Sequence, residues 1–122
     1  MLAVHVHFFY IHEVIAWEAR VLTNLEELVL LAVKALGGDA YGVSVQDMLE
    51  RAGQPTSIGV VYATLERLEA KRYTKSLLGE ATAARGGRRK RLFEPTRSGL
   101  HALATTHATR AQLRLAAGLG RS

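Results

Sequence analysis

The sequence predicts a mainly α-helical protein that carries one small two-stranded β-hairpin. Apolar residues recur at three- and four-residue spacing in several segments, which is the periodicity of helices packed on a core. Between Tyr73 and Glu94 the pattern changes to loose alternation on either side of a Gly86-Gly87 pair, as in two strands joined by a turn. The length of 122 residues suits one domain with a single core.

The first predicted helix runs from Asn24 to Leu36 and carries its apolar residues on one face. Thr23 or Asn24 can cap its start, and Glu26 or Glu27 three residues later completes a capping box. The glycine pair that follows Leu36 provides a left-handed exit. Both ends of this helix are therefore marked in the sequence.

Two further helices are predicted on either side of a short turn around Pro55. Asp39 is the expected cap of the second helix, Gly53 its end, and Thr56 or Ser57 the cap of the third. Two helices joined in this way form a helix-turn-helix. The third helix is expected to place Ile58, Val61, Leu65 and Leu68 on the core and Gly59, Val60, Ala63 and Arg67 on the opposite face.

The hairpin and a last helix complete the predicted fold, a winged helix-turn-helix plus a C-terminal dimerisation helix. Pro95 cannot donate to a strand ladder, so the return strand that starts near Arg91 should end there, and Thr96 can cap the last helix. We expect an N-terminal segment without an assigned role at 1–21, the DNA-binding domain at 22–96 and the dimerisation helix at 97–122. The expected dimerisation stripe comprises Leu100, Leu103, His107, Ala111 and Leu115.

The net charge of +5 is concentrated at the tip of the hairpin. Outside this tip the basic and acidic residues balance, so the excess indicates a local contact with a polyanion, although most charge runs are simply solvated turns. Arg91 is set apart because it begins the return strand and could pair with Glu69 or Glu80. The basic residues of the tip are Arg85, Arg88, Arg89, Lys90 and Arg91.

Composition and motifs argue against several other classes of protein. Without cysteine there is no disulfide or thiolate zinc site, and a reducing cytoplasm is the expected compartment. Charges interrupt every apolar run, and no secretory signal is recognisable, so we expect no membrane segment. His5, His7, His12 and Glu13 lack the spacing of a metal site and are better explained as packing or surface residues. No catalytic constellation is present, so no enzyme and no cofactor are predicted.

Four segments, in order and spacing, resemble the PadR family of transcriptional regulators over about residues 22–99. They read LTNLEELVLLAV, AYGV, SIGVVYATLERLE, and GE followed by RGGRRKR. The chain departs from the family pattern at Glu94-Pro95, in its short last helix and at residues 1–21. The resemblance implies a dimeric repressor that binds an inverted-repeat operator in double-stranded DNA.

The predicted DNA-binding residues lie on the third helix and the hairpin tip. Small side chains let the backbone approach the major groove, an aliphatic one could touch a thymine methyl, and cations hold phosphates. Tyr62 has two interpretations, a contact with the DNA backbone that the resemblance implies or a packed aromatic with a hydrogen-bonded hydroxyl. The set comprises Ser57, Gly59, Val60, Tyr62, Ala63, Arg67, Lys71, Arg85, Arg88, Arg89 and Lys90.

Three alternatives concern partners. Trp17 could line a pocket for a small aromatic effector, as the resemblance implies, or could simply pack. A winged-helix module could instead bind protein or RNA, and a protein-docking face should expose aromatic side chains, which the sequence does not predict for the third helix. The chain could also need a different subunit for DNA binding in place of a second copy.

Overall fold

The computed structural model describes residues 21–81 and 89–120. Four helices and one antiparallel hairpin make up these residues, so the predicted fold class is confirmed. In chain order they are α1 (Asn24–Leu36), a 3-10 turn (Gly37–Asp39), α2 (Gly42–Arg51), α3 (Ile58–Ala70), β1 (Thr74–Ala81), β2 (Arg89–Pro95) and α4 (Arg97–Ala116).

Helix α1 begins with the predicted capping box, and Thr23 is the cap. The Glu26 backbone N–H donates to Thr23 Oγ1 over 3.2 Å, and the Thr23 N–H donates to the Glu26 carboxylate over 2.9 Å. The helix ends at Gly37, whose φ of +60° lies in the region that favours glycine. Because the cap fixes the first turn, the carboxylates of that turn have defined directions.

Helix α2 starts at Gly42, two residues later than the sequence predicted. Asp39 belongs to the preceding 3-10 turn and does not cap the helix through its side chain. Instead Ser44, inside the first turn, accepts from the Tyr41 N–H over 2.9 Å and donates to the Asp39 carbonyl over 2.7 Å. The pattern placed the start wrongly because a serine hydroxyl from within the helix satisfies these backbone groups.

Helix α3 is capped by Ser57, whose Oγ accepts from the Val60 N–H over 3.3 Å. The turn before it is tied to α2, since Gln46 Nε2 donates to the Thr56 carbonyl over 3.0 Å. Ile58 is 37% exposed, so its predicted place on the core face is wrong. It stands in the first turn, roughly 70° around the helix from the centre of the buried face. That face consists of Val61, Thr64, Leu65 and Leu68.

The hairpin pairs Thr74 with Pro95 and Leu78 with Arg91, and its register shifts before Ala81 pairs with Arg89. The return strand ends at Pro95 as predicted but begins two residues before Arg91. Phe93 is buried and donates its N–H to the Ala40 carbonyl over 2.8 Å. This bond attaches the hairpin to the connection between α1 and α2.

The first half of α4 packs into the core. Thr96 caps the helix, and Gly99 lies so close to Tyr73, the residue before β1, that a Cβ there would stand 2.1 Å from the Tyr73 carbonyl oxygen. Thr106 is fully buried and accepts from the Leu22 N–H over 3.0 Å. From Gln112 to Gly120 every residue is exposed, so the end of α4 projects from the domain.

The core joins all four helices to the hairpin. None of the helices in the described part of the chain is long and apolar enough to cross a membrane. The buried apolar residues are Leu22, Val29, Leu30, Ala32, Val33, Ala40, Val45, Leu49, Val61, Leu65, Leu68, Tyr73, Phe93 and Ala102.

Candidate nucleic-acid interface

The solvent-facing side of α3 is centred on two small residues, Gly59 and Ala63. Both are exposed, and a Cβ placed on Gly59 would meet nothing within 4 Å. Val60 stands on one flank, 43% exposed, and Tyr62 on the other, 42% exposed. The backbone of the leading half of this helix is therefore accessible to a large partner.

Tyr62 lies on the surface of the helix-turn-helix. Its ring covers Gly42 so closely that a Cβ at Gly42 would stand 2.3 Å from Tyr62 Cζ. With 42% of the residue exposed, the face does carry an exposed aromatic, so the expectation that it has none is wrong. The glycine at the start of α2 provides the space in which the ring rests beside the helix.

Arg67 and Lys71, predicted to hold phosphates, both contact Glu26 of α1. Lys71 Nζ donates to Glu26 Oε2 over 2.7 Å, and Arg67 Nε donates to the same oxygen over 3.4 Å. The carboxylate is buried, while the side chains of Arg67 and Lys71 remain 51% and 34% exposed. Since two cations share one carboxylate, this end of α3 keeps a positive charge at the surface.

The charge of Glu26 depends on these partners. Burial acts to raise the pKa of Glu26, but hydrogen bonds from Lys71 and the Thr23 backbone, with the charge of Lys71, hold that pKa below its ordinary value. From the sequence, Glu26 was expected only to cap its helix. Its spacing from Val29, Leu30 and Val33, which are buried, is the signal that could have placed it on the core face.

Arg91 joins the hairpin to α3. Its two terminal nitrogens donate to Glu66 and to Glu69, the latter over 2.9 Å, and its guanidinium lies 4.9 Å from the centre of the Phe93 ring. The hydrogen bond to Glu66 raises the pKa of Arg91, against a smaller effect of burial. The predicted pairing with Glu69 is confirmed, whereas the contact with Glu66 was not predicted.

Of the other basic residues predicted at the hairpin tip, the structure describes Arg89 and Lys90. Arg89 is exposed and donates from Nε to the Gly79 carbonyl over 2.9 Å. Lys90 Nζ lies 4.1 Å from the centre of the Tyr41 ring. Arg85 and Arg88 lie outside the described residues.

Comparison with known proteins bears on the fold. No protein-family model matches the sequence, and no curated protein matches it significantly. Among solved structures, a PadR-like transcription factor from Bacteroides fragilis has a TM-score of 0.68 at 21% identity, with 77% of this chain and 86% of that chain covered. A PadR family transcriptional regulator from Eggerthella lenta has a TM-score of 0.66 at 22% identity, covering 93% and 94%. A PadR family regulator from Clostridium difficile gives 0.59 at 21% identity, covering 80% and 94%.

The chain has the PadR-type fold. The resemblance found in the four sequence segments is thereby confirmed at the level of the fold. Within the PadR-type fold, α2 and α3 form the helix-turn-helix and the β1-β2 hairpin forms the wing. Arg91 thus forms an ion pair between the wing and the second helix of the helix-turn-helix.

The last helix of this PadR-type fold exposes part of the predicted dimerisation stripe. Leu100 and Leu115 are 41% and 56% exposed, His107 is exposed and Ala111 is half-buried. Leu103 instead packs against the core of its own chain. Ala104 and Ala108, which were not predicted from the sequence, lie on the same exposed side as Leu100 by their four-residue spacing. The dimerisation role of this stripe stays a prediction.

The residues that the sequence analysis considered as metal ligands or effector contacts lie in the N-terminal segment. Within the described ranges no three His, Asp or Glu side chains are grouped as metal ligands. His5, His7, His12, Glu13 and Trp17 lie outside those ranges. At the start of α4 a cavity of about 400 Å³ is lined by Tyr73, Arg97, Ser98, His101 and Ala102.

Proposed function

We propose that the chain is a DNA-binding transcriptional regulator of the PadR family that acts in the cytoplasm as a homodimer. It represses transcription by occupying an inverted-repeat operator, without catalysis, metal or cofactor. The observation that carries this proposal is the leading end of α3, where Gly59 and Ala63 leave the backbone open within a winged helix-turn-helix.

The size of the helix supports entry into the major groove. That groove is about 12 Å wide, close to the roughly 10–12 Å diameter of a helix with its side chains, so small residues decide how deep the backbone can lie. Gly59 and Ala63 face the base edges in this arrangement, and the exposed Val60 reaches a thymine methyl. Ser57 and Tyr62 flank the same end and donate from their hydroxyls to phosphates.

Cations at the end of α3 and on the wing support the proposal, because contacts with phosphates fix the position of the protein along the duplex. Lys71 has three donors and Arg67 has five, so each has N–H groups left for a phosphate beyond its bond to Glu26. On the wing, Arg85, Arg88, Arg89 and Lys90 supply the second set of phosphate or minor-groove contacts. Arg91 offsets two carboxylates of α3 that would otherwise repel the DNA.

The exposed side of α4 supports a symmetric dimer. A two-fold pair of such helices buries Leu100, Ala111 and Leu115 together, and its recognition helices then face two half-sites of opposite direction. The repressor role rests on the family resemblance. A small aromatic effector, with Trp17 as its contact, rests on the same resemblance.

A second candidate function is the docking of another protein on the helix-turn-helix. Ile58, Val60 and Tyr62 are 37%, 43% and 42% exposed, and such apolar residues suit a protein interface as well as a groove. The small residues between them favour DNA, because a protein interface draws its affinity from large side chains at its centre.

Two measurements with the full chain test the proposed function. Selection from a pool of random duplexes should enrich an inverted repeat, and sedimentation should give twice the monomer mass of 13.3 kDa. If no duplex sequence is enriched above the starting pool at low salt, the protein is not a sequence-specific DNA-binding regulator. If it sediments as a monomer, it is not a homodimer.

A further inference from the structure

Two consecutive carboxylates in the first turn of α1 hold two different helices. Glu26 binds the end of α3 through Lys71 over 2.7 Å. Glu27 forms an ion pair with Arg110 of α4, in which Arg110 Nε lies 2.9 Å from Glu27 Oε1. Consecutive helical residues point roughly 100° apart, so one rigid turn reaches in both directions.

The Glu27 contact lies where α4 leaves the domain. Glu27 has only 14% of its side chain exposed, and Arg110 has 47%. One turn earlier on α4, Thr106 is anchored to the Leu22 backbone, and from Gln112 onwards every described residue is exposed. Arg110 is therefore placed to fix the direction in which the projecting end of α4 leaves the domain.

The first turn of α1 is held rigidly, so a contact with it can fix the orientation of α4 relative to α3. Thr23 and Glu26 close a reciprocal capping box, and the Glu26 carboxylate is fully enclosed. We propose that Glu26 and Glu27 are positioning residues that fix α4 relative to α3 and so set the spacing between the two half-sites that a dimer accepts. This inference rests on the proposed function, in which α3 reads the DNA and α4 forms the dimer.

Small changes of angle matter for such a dimer. Recognition helices of a two-fold dimer stand about 34 Å apart, and one extra base pair moves a half-site by about 3.4 Å along the duplex. A tilt of α4 by a few degrees, acting in both subunits, moves the recognition helices by a comparable distance. An ion pair at the point where α4 leaves the domain is therefore placed to determine which half-site spacing the dimer prefers.

The test uses duplexes that carry the selected half-sites at the preferred spacing and at one base pair more or less. The measured quantity is the ratio of the dissociation constant at a changed spacing to that at the preferred spacing. In Glu27→Gln and in Arg110→Gln this ratio should fall by about two- to fivefold, the worth of one partly exposed ion pair. The double variant should fall no further than either single variant, because the same ion pair is broken in all three.

The matched control is Arg114→Gln, which removes the same charge one turn further along α4. Arg114 is exposed and its side chain has no partner among the described residues. Its ratio should equal that of the wild type. Thermal unfolding checks that all variants remain folded at the binding temperature.

The outcomes separate this inference from the proposed function. If the wild type selects a spacing but the Glu27 and Arg110 variants keep its ratio, the positioning role is wrong and the proposed function stands. The same holds if the ratio falls equally in the Arg114 control, since the effect is then one of net charge. If the wild type binds no duplex or is monomeric, both are wrong.

Discussion

Lys71, the residue that follows α3, donates a hydrogen bond over 2.7 Å to Glu26 of α1, whose side chain is 1% exposed. The same carboxylate closes the capping box of its own helix. A single buried group thus fixes the start of α1 and the end of α3. Its removal should affect stability in a way that depends on pH.

Glu26→Gln should lower the free energy of unfolding at neutral pH by about 1 to 3 kcal/mol, since the ion pair with Lys71 becomes a hydrogen bond to a neutral amide. The pKa of Glu26 is lowered by folding, so its contribution is complete above the ordinary carboxyl pKa and is lost as the pH falls through the folded value. Urea unfolding of both proteins at several pH values should therefore show the difference shrinking below about pH 4. Glu50→Gln, at an exposed residue, is the control, and a difference that grows towards acid would contradict the assignment.

Gly99→Ala and Gly59→Ala should have opposite effects on stability. A methyl group at Gly99 would stand 2.1 Å from the Tyr73 carbonyl oxygen, so α4 must shift and about 2 to 4 kcal/mol of stability should disappear. At Gly59 the space is open, and alanine in a helix should add about 0.5 to 1 kcal/mol. Denaturant unfolding measures both, and equal midpoints for the two variants would show that the packing of α4 on Tyr73 is described wrongly.

Leu115→Glu should convert the proposed dimer to a monomer without unfolding the chain. Leu115 lies on the projecting part of α4 and is 56% exposed, so the fold of one chain does not depend on it. Two glutamates brought into an apolar seam would have to be desolvated together. Sedimentation measures the mass. Leu113→Glu is the control, because Leu113 is exposed and points roughly 160° away from Leu115 around the same helix. A Leu115→Glu dimer of wild-type strength would place the seam elsewhere.

Arg89→Ala should weaken binding to selected and to random duplexes alike. For each phosphate that the protein no longer neutralises, the slope of the logarithm of affinity against the logarithm of salt concentration falls by about 0.9. Adding Arg88→Ala should lower the slope by the same amount again. Arg51→Ala removes one charge from the exposed end of α2 and should leave the slope within error. An unchanged slope in the wing variants would mean that the wing does not bind phosphates.

The helices and the hairpin could be predicted because periodicity and caps are local properties. Thr23 and Pro95 marked their boundaries correctly, since a hydroxyl cap and a missing N–H act on their immediate neighbours. The start of α2 could not be placed in this way. Ser44 caps the turn from inside the helix, and nothing local distinguishes it from Asp39 as a cap.

The site was harder to predict because its charges pair across the fold. The ion pairs of Glu26 with Lys71 and of Arg91 with Glu66 join residues 45 and 25 positions apart. Sequence patterns show where charges lie on each helix but not which helices face each other. Tyr62 is a further case. Its ring occupies the space that a side chain at position 42 would fill, and the pattern within α3 does not show that contact with Gly42.

The central claim, that the leading end of α3 enters the major groove, is tested most directly by two substitutions on one exposed face of that helix. Ala63→Glu places a bulky anion at the proposed contact, whereas Ala70→Glu places the same group at the last residue of the helix. The measurement is the dissociation constant of each full-length variant for the duplex selected by the wild type. We expect Ala63→Glu to bind at least about 100-fold more weakly, from steric exclusion and phosphate repulsion, and Ala70→Glu to stay within about threefold. Wild-type affinity in folded Ala63→Glu would contradict the claim.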